Sequence, residues 1–222
     1  MLINVDAGEL PDESPELWAL ADVINGACGG HAGDADSMAR LAAFCASSSI
    51  RLGAHPSYPD RARFGRVSLA IDPAALADSV AAQCRALADA AAAAGTQVTA
   101  FKPHGALYHD ATANEQLAVA VIRAAVETLG NDVLVIGPPH GALQQAAIRY
   151  GLRYAREGFA DRAMRPDGSL VPRSEPGALI TDPAEAAAQA RRLAPLVDTI
   201  CIHGDTAGAL AIARAVRAVV GA

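Results

Sequence analysis

Short runs of apolar residues alternate with longer alanine-rich segments along the whole chain. This alternation is the primary signal of parallel α/β architecture, in which buried strands are separated by covering helices. Strands are predicted at 2–5 (LINV), 23–26 (VING), 51–54 (RLGA), 98–102 (VTAFK), 132–137 (DVLVIG), 152–157 (LRYARE) and 199–203 (TICIH). Helical segments fill the gaps, most clearly at 73–94, 112–129, 141–149, 183–194 and 206–219. Asp72–Pro73 and Asp182–Pro183 have the form of an N-cap followed by proline at the first helical position.

No linker, low-complexity tract or charge block divides the 222 residues, so the pattern describes one domain. Seven β/α units in that length predict a TIM-barrel-like (β/α) barrel of about seven parallel strands, one unit short of the eight-fold form. An open doubly wound sheet is the alternative. It is disfavoured because the first strand is not followed by GxGxxG, nor any strand by GxxxxGK[ST].

Composition narrows the function classes. An apolar content of 52% is ample for a closed core, and with only 4% aromatic residues that core must be mostly Ala, Val, Leu and Ile. A net charge of −6 without a basic block argues against nucleic acid or an anionic membrane as partner and for a small molecule or another protein. No apolar run approaches the roughly 20 residues of a membrane span. The start MLINVDAGEL lacks the form of a secretory signal, and Cys28, Cys45, Cys84 and Cys201 make no CxxC pair, so a reduced, cytoplasmic chain is expected. Self-association into a homo-oligomer is left open.

Polar residues gather at the end of each predicted strand and in the loop after it: Asn4, Asp6 and Glu9; Asn25, Cys28, His31 and Asp34; His55; Lys102 and His104; Glu157, Asp161 and Arg162; His203 and Asp205. In a parallel barrel these ends share one rim, where barrel enzymes hold their active sites. A lone strand-end histidine is more often a hydrogen-bonded structural residue than a catalyst. Here four of the six, His31, His55, His104 and His203, fall at equivalent ends, which points to a common pocket. His109 and His140 do not share that placement. Cys28 and Cys201 read as buried, inert core residues. Lys102 is the only lysine among 18 basic residues, as expected where a compact point charge is needed and a forked guanidinium is not. Asp6, His31 and His55 are the natural ligands if a divalent metal is present, although no compact metal signature such as HExxH occurs.

The blocks INVDAGE, INGACGGHAGD, IRLGAHPSYPDRARFGR, FKPHGALY, FADRAMRPDGSLVPRSEPGALI and CIHGD, in this order, resemble the LamB/YcsF family over nearly the whole chain. One departure is Gly30, which stands beside His31 where the family has an aromatic residue and so implies a wider pocket. The resemblance implies a hydrolase acting on a cyclic amide: ATP-dependent opening of 5-oxoproline, or a related lactam, to glutamate. Partner subunits B and C of a three-part enzyme take part, and ATP is cosubstrate of the assembled complex. Phosphorylating the amide oxygen would create a leaving group before water attacks, which calls for an anion cradle and a base. Under this reading Lys102 and Arg162 bind anionic groups, with Lys102 nearest the reacting centre. Asp6 and His55 position and deprotonate water, and His104 and His203 move protons to the departing nitrogen. Glu9, Asp161 and Asp205 orient these groups, and Asn4 and His31 complete the substrate-binding set. Replacing Lys102 by Met is expected to abolish lactam opening and leave the fold intact. Two other readings use the same rim: a stand-alone, metal-dependent barrel hydrolase resembling a deacetylase, and a non-catalytic chain that only binds substrate within the complex.

Overall fold

A computed structural model of the chain describes residues 1–165 and 169–220; Pro166, Asp167 and Gly168, part of the long block after the sixth strand, lie outside the described residues. Seven parallel strands, β1 (Leu2–Ala7), β2 (Val23–Ala27), β3 (Arg51–His55), β4 (Val98–Phe101), β5 (Leu134–Gly137), β6 (Arg153–Phe159) and β7 (Thr199–His203), pair in sequence order. β1 also pairs with β7, with Asp6 opposite His203, so the sheet closes into a barrel and the open doubly wound alternative is excluded.

All seven predicted strands form, because each short apolar run is buried between the barrel interior and the helices outside. Helix α3 (Pro73–Ala93) and helix α7 (Pro183–Leu193) begin as predicted, with the Asp72 and Asp182 carboxylates accepting from backbone N–H groups of the first turn. The single helix expected at 112–129 is two, α4 (Gly105–Ala113) and α5 (Glu115–Leu129). Asn114 separates them because its side chain accepts from Gln116 and Leu117 N–H and caps α5. Helices α6 (Ala142–Arg149) and α8 (Ala209–Val220) match expectation within three residues at each end. Two further helices lack so clear a signal in the sequence, α1 (Pro15–Trp18) and α2 (Ala35–Ala46), the second closed at its start by a reciprocal Asp34–Ser37 capping box.

Side chains alternate in direction along a strand. Ile3 and Val5, Leu52 and Ala54, Phe101, Val135, and Ile200 and Ile202 face the helices and join the main core. The intervening residues face the barrel axis. Toward the N-terminal ends of the strands this interior is apolar, filled by Val23, Ala100, Leu134, Ile136 and Ala155. Above that plug it turns polar, and the candidate functional groups begin there. Among the described residues, no helix is long and apolar enough to cross a membrane.

Candidate active site

The interior-facing alternation sets Asn4 below Asp6, Gly53 below His55, Ala100 below Lys102 and Cys201 below His203, each two residues apart. Register then aligns them, with Asp6 beside Asn25 on one side and His203 on the other, and His55 beside Ala27. The rim is buried: Asp6, His31, His55, Lys102 and Glu157 are each 2% exposed or less.

Lys102 anchors the centre. Its Nζ donates to Asp6 Oδ1 at 2.9 Å, Asp6 Oδ2 at 3.1 Å and Asn4 Oδ1 at 3.3 Å, contacts Cys201 Sγ at 3.1 Å, and lies 2.9 Å from Glu157 Oε1. Burial alone would lower the lysine pKa, but the Asp6 carboxylate, Cys201 and Glu157 hold it well above the ordinary value. Burial would likewise raise Asp6, and its contacts with His55 and the Lys102 ammonium hold it well below the usual carboxylate range. Asn25 Nδ2 donates to Asn4 Oδ1 and Asp6 Oδ1 at 2.7 and 2.9 Å, fixing the carboxylate from the β2 side.

A second cluster surrounds Glu9. The Glu13 carboxylate accepts from the backbone N–H groups of Gly8, Glu9 and Leu10 at 2.6, 2.8 and 3.0 Å, fixing the loop that presents Glu9. Glu9 Oε1 lies 3.0 Å from His31 Nε2, 3.2 Å from His104 Nδ1 and 3.8 Å from His55 Nε2. The rings of His31 and His104 stack at 3.5 Å. Burial lowers the pKa of both, that of His104 to about 3, so both imidazoles are neutral.

Backbone contacts fix the tautomers. His55 Nδ1 donates to the Lys102 carbonyl at 2.7 Å, and His104 Nε2 donates to the Phe64 carbonyl at 3.0 Å. Since a carbonyl only accepts, each ring turns its other nitrogen, His55 Nε2 or His104 Nδ1, toward the other across 3.0 Å. Asp6 Oδ2 is 3.4 Å from that His55 nitrogen. Lone pairs and carboxylate oxygens therefore converge on one point, which needs a shared proton or a cation. Donor atoms of Glu9, His31, His55 and His104 lie within 4.8 Å of one another, as do those of Asp6, Cys201 and His203. The expected ligand set of Asp6, His31 and His55 is thus divided between two neighbouring groups, because Glu9 draws His31 to its side.

The third element is His203, whose Nδ1 donates to Asp161 Oδ1 at 2.9 Å while its Nε2 points toward Asp6 at 3.9 Å. Thr206 Oγ1 and the His203 backbone N–H also donate to Asp161. Burial would depress the His203 pKa, but the Asp161 charge and hydrogen bond raise it above the ordinary value. Phe159 stacks against the ring at 5.5 Å.

The structure thus brings together Asp6, Glu9, His31, His55, Lys102, His104, Asp161 and His203. Three expected residues stand differently. Asn4 is fully buried beneath Lys102, with Nδ2 donating to Thr199, so it supports the site from below. Arg162 spends its guanidinium on the carbonyls of Val171 and Ala178 at 2.7 and 3.4 Å, tying down the loop after β6. Asp205 pairs with Arg66 and Arg173, not with any of the four rim histidines. The pocket expected to widen at Gly30 is filled. A Cβ there would lie 2.3 Å from Gln83 Oε1 and 2.4 Å from Ser57 Oγ, because the α3 side chain of Gln83 hydrogen-bonds the Ser57 backbone in that space.

Cys201 is buried in the core as expected, and its Sγ also meets the Lys102 ammonium, a contact the sequence reading did not assign. Its position two residues before His203 on one strand is the signal that places it there. Burial pushes its thiol pKa up. Cys28 is buried as expected, its thiol raised by the same cause. Glu13, Tyr108, Arg66 and Arg173 carry no strand-end signal in the sequence, yet all four border the site. Tyr108 is buried beside Glu157, and burial followed by that carboxylate pushes its phenol up.

The family model described as "LamB/YcsF family" matches residues 3–222. The chain is 42% identical to the A subunit of 5-oxoprolinase from Methylococcus capsulatus, over 97% of this chain and 90% of that protein. It is 41% identical to the protein of the same description from Streptomyces griseus, over 98% and 94%. Among solved structures, the lactam utilization protein from Thermus thermophilus superposes with a TM-score of 0.89 at 32% identity, covering 100% of this chain and 96% of that one.

Proposed function

Because the chain belongs to the LamB/YcsF family, we propose that it is the lactam-handling component of a 5-oxoprolinase. In this reading it opens 5-oxoproline to glutamate together with two partner subunits, and ATP is cosubstrate of the assembled complex. One observation carries the reading: the Asp6 carboxylate is shared among Lys102, His55 and His203 at the C-terminal end of the barrel. An ionised carboxylate thereby lies between a ring nitrogen able to accept a proton and an imidazole whose pKa is raised so that it can donate one.

The roles follow from the charges. Asp6 and His55 hold and deprotonate the water that attacks the activated lactam carbon. His203, whose pKa the Asp161 carboxylate raises, delivers a proton to the nitrogen as the C–N bond breaks. Lys102 is already matched by Asp6 and Glu157, so its part is to keep Asp6 ionised and in place, more than to receive a substrate anion. His104 and Glu9 set the position of His55.

The test is coupled turnover with the candidate partner subunits, ATP and 5-oxoproline, omitting each component in turn. Glutamate release should need this chain and fall by about 100-fold or more in Asp6→Asn, the scale of one general acid–base contribution. Glutamate release unchanged without the chain would sink the proposal.

A metal-dependent reading has one observation in its favour, the convergence of His55 Nε2, His104 Nδ1 and Glu9 Oε1 while backbone carbonyls fix the other ring nitrogens. That donor set fits a divalent ion such as zinc, including the outer hydrogen bonds that orient ligating histidines. Glu9, His55 and His104 would hold it, with His31 and Asp6 adjacent. A bound ion would polarise a carbonyl or acidify a water. Stoichiometric metal in the purified chain, with activity lost to a chelator and restored by zinc, would favour this reading.

A further inference from the structure

Over the mouth of the barrel, two loops bring cations to an acid carried by a third. Arg66, from the loop after β3, and Arg173, from the loop after β6, both pair with Asp205, from the loop after β7; the Arg173 contacts are 3.2 and 3.4 Å. Arg162 is close enough that, after burial, Arg173 and Arg66 are the charges that lower its pKa to about 10. Two guanidinium groups, those of Arg66 and Arg173, thus face the single carboxylate of Asp205, while Arg162 beside them has Asp161 as its neighbouring carboxylate. Arg66 also lies 4.6 Å over the Phe64 ring, and Phe64 packs edge-on against His31 and His104. The arginine cluster is therefore mechanically continuous with the histidines below.

We propose that Arg66 and Arg173 recognise the free carboxylate of the lactam acid, and that Asp205 is an internal carboxylate occupying them until the substrate arrives. The inference rests on the lactam reading and assigns the group that selects the acid over a neutral ring. Asp205 shows that a carboxylate fits between these guanidinium groups, a geometry that suits two-point recognition. Arg66 and Arg173 keep 36% and 22% of their side-chain surface exposed, so an incoming anion reaches them before the buried rim. Exchanging Asp205 for the substrate carboxylate would free the β7 loop beside His203 and place the lactam ring toward Asp6.

The experiment is calorimetric titration of the full chain with 5-oxoproline, with 2-pyrrolidinone, the same ring without a carboxylate, and with inorganic phosphate. Wild-type protein should prefer 5-oxoproline. Arg66→Ala and Arg173→Ala should each weaken it by about tenfold or more, the size of a lost charged hydrogen bond, and together erase the preference. Asp205→Asn should tighten 5-oxoproline binding, which no merely destabilised fold would do. The proposal is overturned if the preference survives the double arginine variant, if Asp205→Asn weakens binding as the arginine variants do, or if those variants lose phosphate alone. Wild-type protein that binds neither lactam overturns the lactam reading as well.

Discussion

The Lys102 ammonium sits where Asn4, Asp6, Glu157 and Cys201 converge at 2.9 to 3.3 Å, a point that a planar fork cannot occupy without displacing one of them. This accounts physically for a lone lysine among arginines. It also corrects the expectation that Lys102→Met leaves the fold intact. Methionine would strand two buried carboxylates, and loss of a buried partner costs about 3–5 kcal/mol, which urea denaturation will read. Loss of turnover in that variant must be separated from loss of fold, and Lys102→Arg should fail by crowding. Asp161→Asn removes the charge that raises His203, so the His203 pKa should drop in an NMR titration and the proton-donating limb of activity should move to lower pH. The rim is legible at this scale because strand-end polar residues stand out in an apolar chain. The contact of Cys201 with Lys102 and the partners of Asp205 are not. A cysteine is chemically ambiguous until its neighbours are known, and Asp205 is drawn away from the nearby histidines by two arginines distant in sequence.

Elements are more legible than contacts between them. Asp–Pro starts place α3 and α7 because the cap is local chemistry, whereas the break at Asn114 is a cap concealed inside a continuous apolar pattern. The contact between the β2–α2 loop and α3 is not local, so Gly30 has no interpretation without Gln83. Installing the aromatic residue as Gly30→Phe should destabilise the fold by about 1–3 kcal/mol through overpacking. Adding Gln83→Ala should return much of that loss. A double-mutant cycle on thermal melts checks this, and equal cost in both backgrounds would show that Gln83 is not the obstacle.

For the whole molecule, the buried charges set an acid limit. His31 and His104 have lowered folded pKa values, so the unfolded chain binds protons first and stability falls once pH drops below about 6.5, at about 1.4 kcal/mol per unit for each group that titrates. His203 has the opposite sign: its contribution is full below about 6.5 and is lost as pH rises through its raised folded value. Asp6, Glu9 and Asp161, all depressed, add a second loss below about pH 4 as pH falls toward their folded values. Urea midpoints from pH 8 to 4 should decline from near neutrality; a flat profile down to pH 5 would contradict the buried, neutral state of the two histidines. The barrel itself is legible because seven repeats of one pattern admit few closed solutions. Its seam carries a different consequence. Asp6 and His203 meet only when β7 docks on β1, so the first and last strands complete the site together. A chain clipped before Thr199 would hold most of the rim residues but lack Cys201 and His203, and with them the closure that sets His203 beside Asp6. Competence is therefore conferred only when β7 closes the barrel on β1.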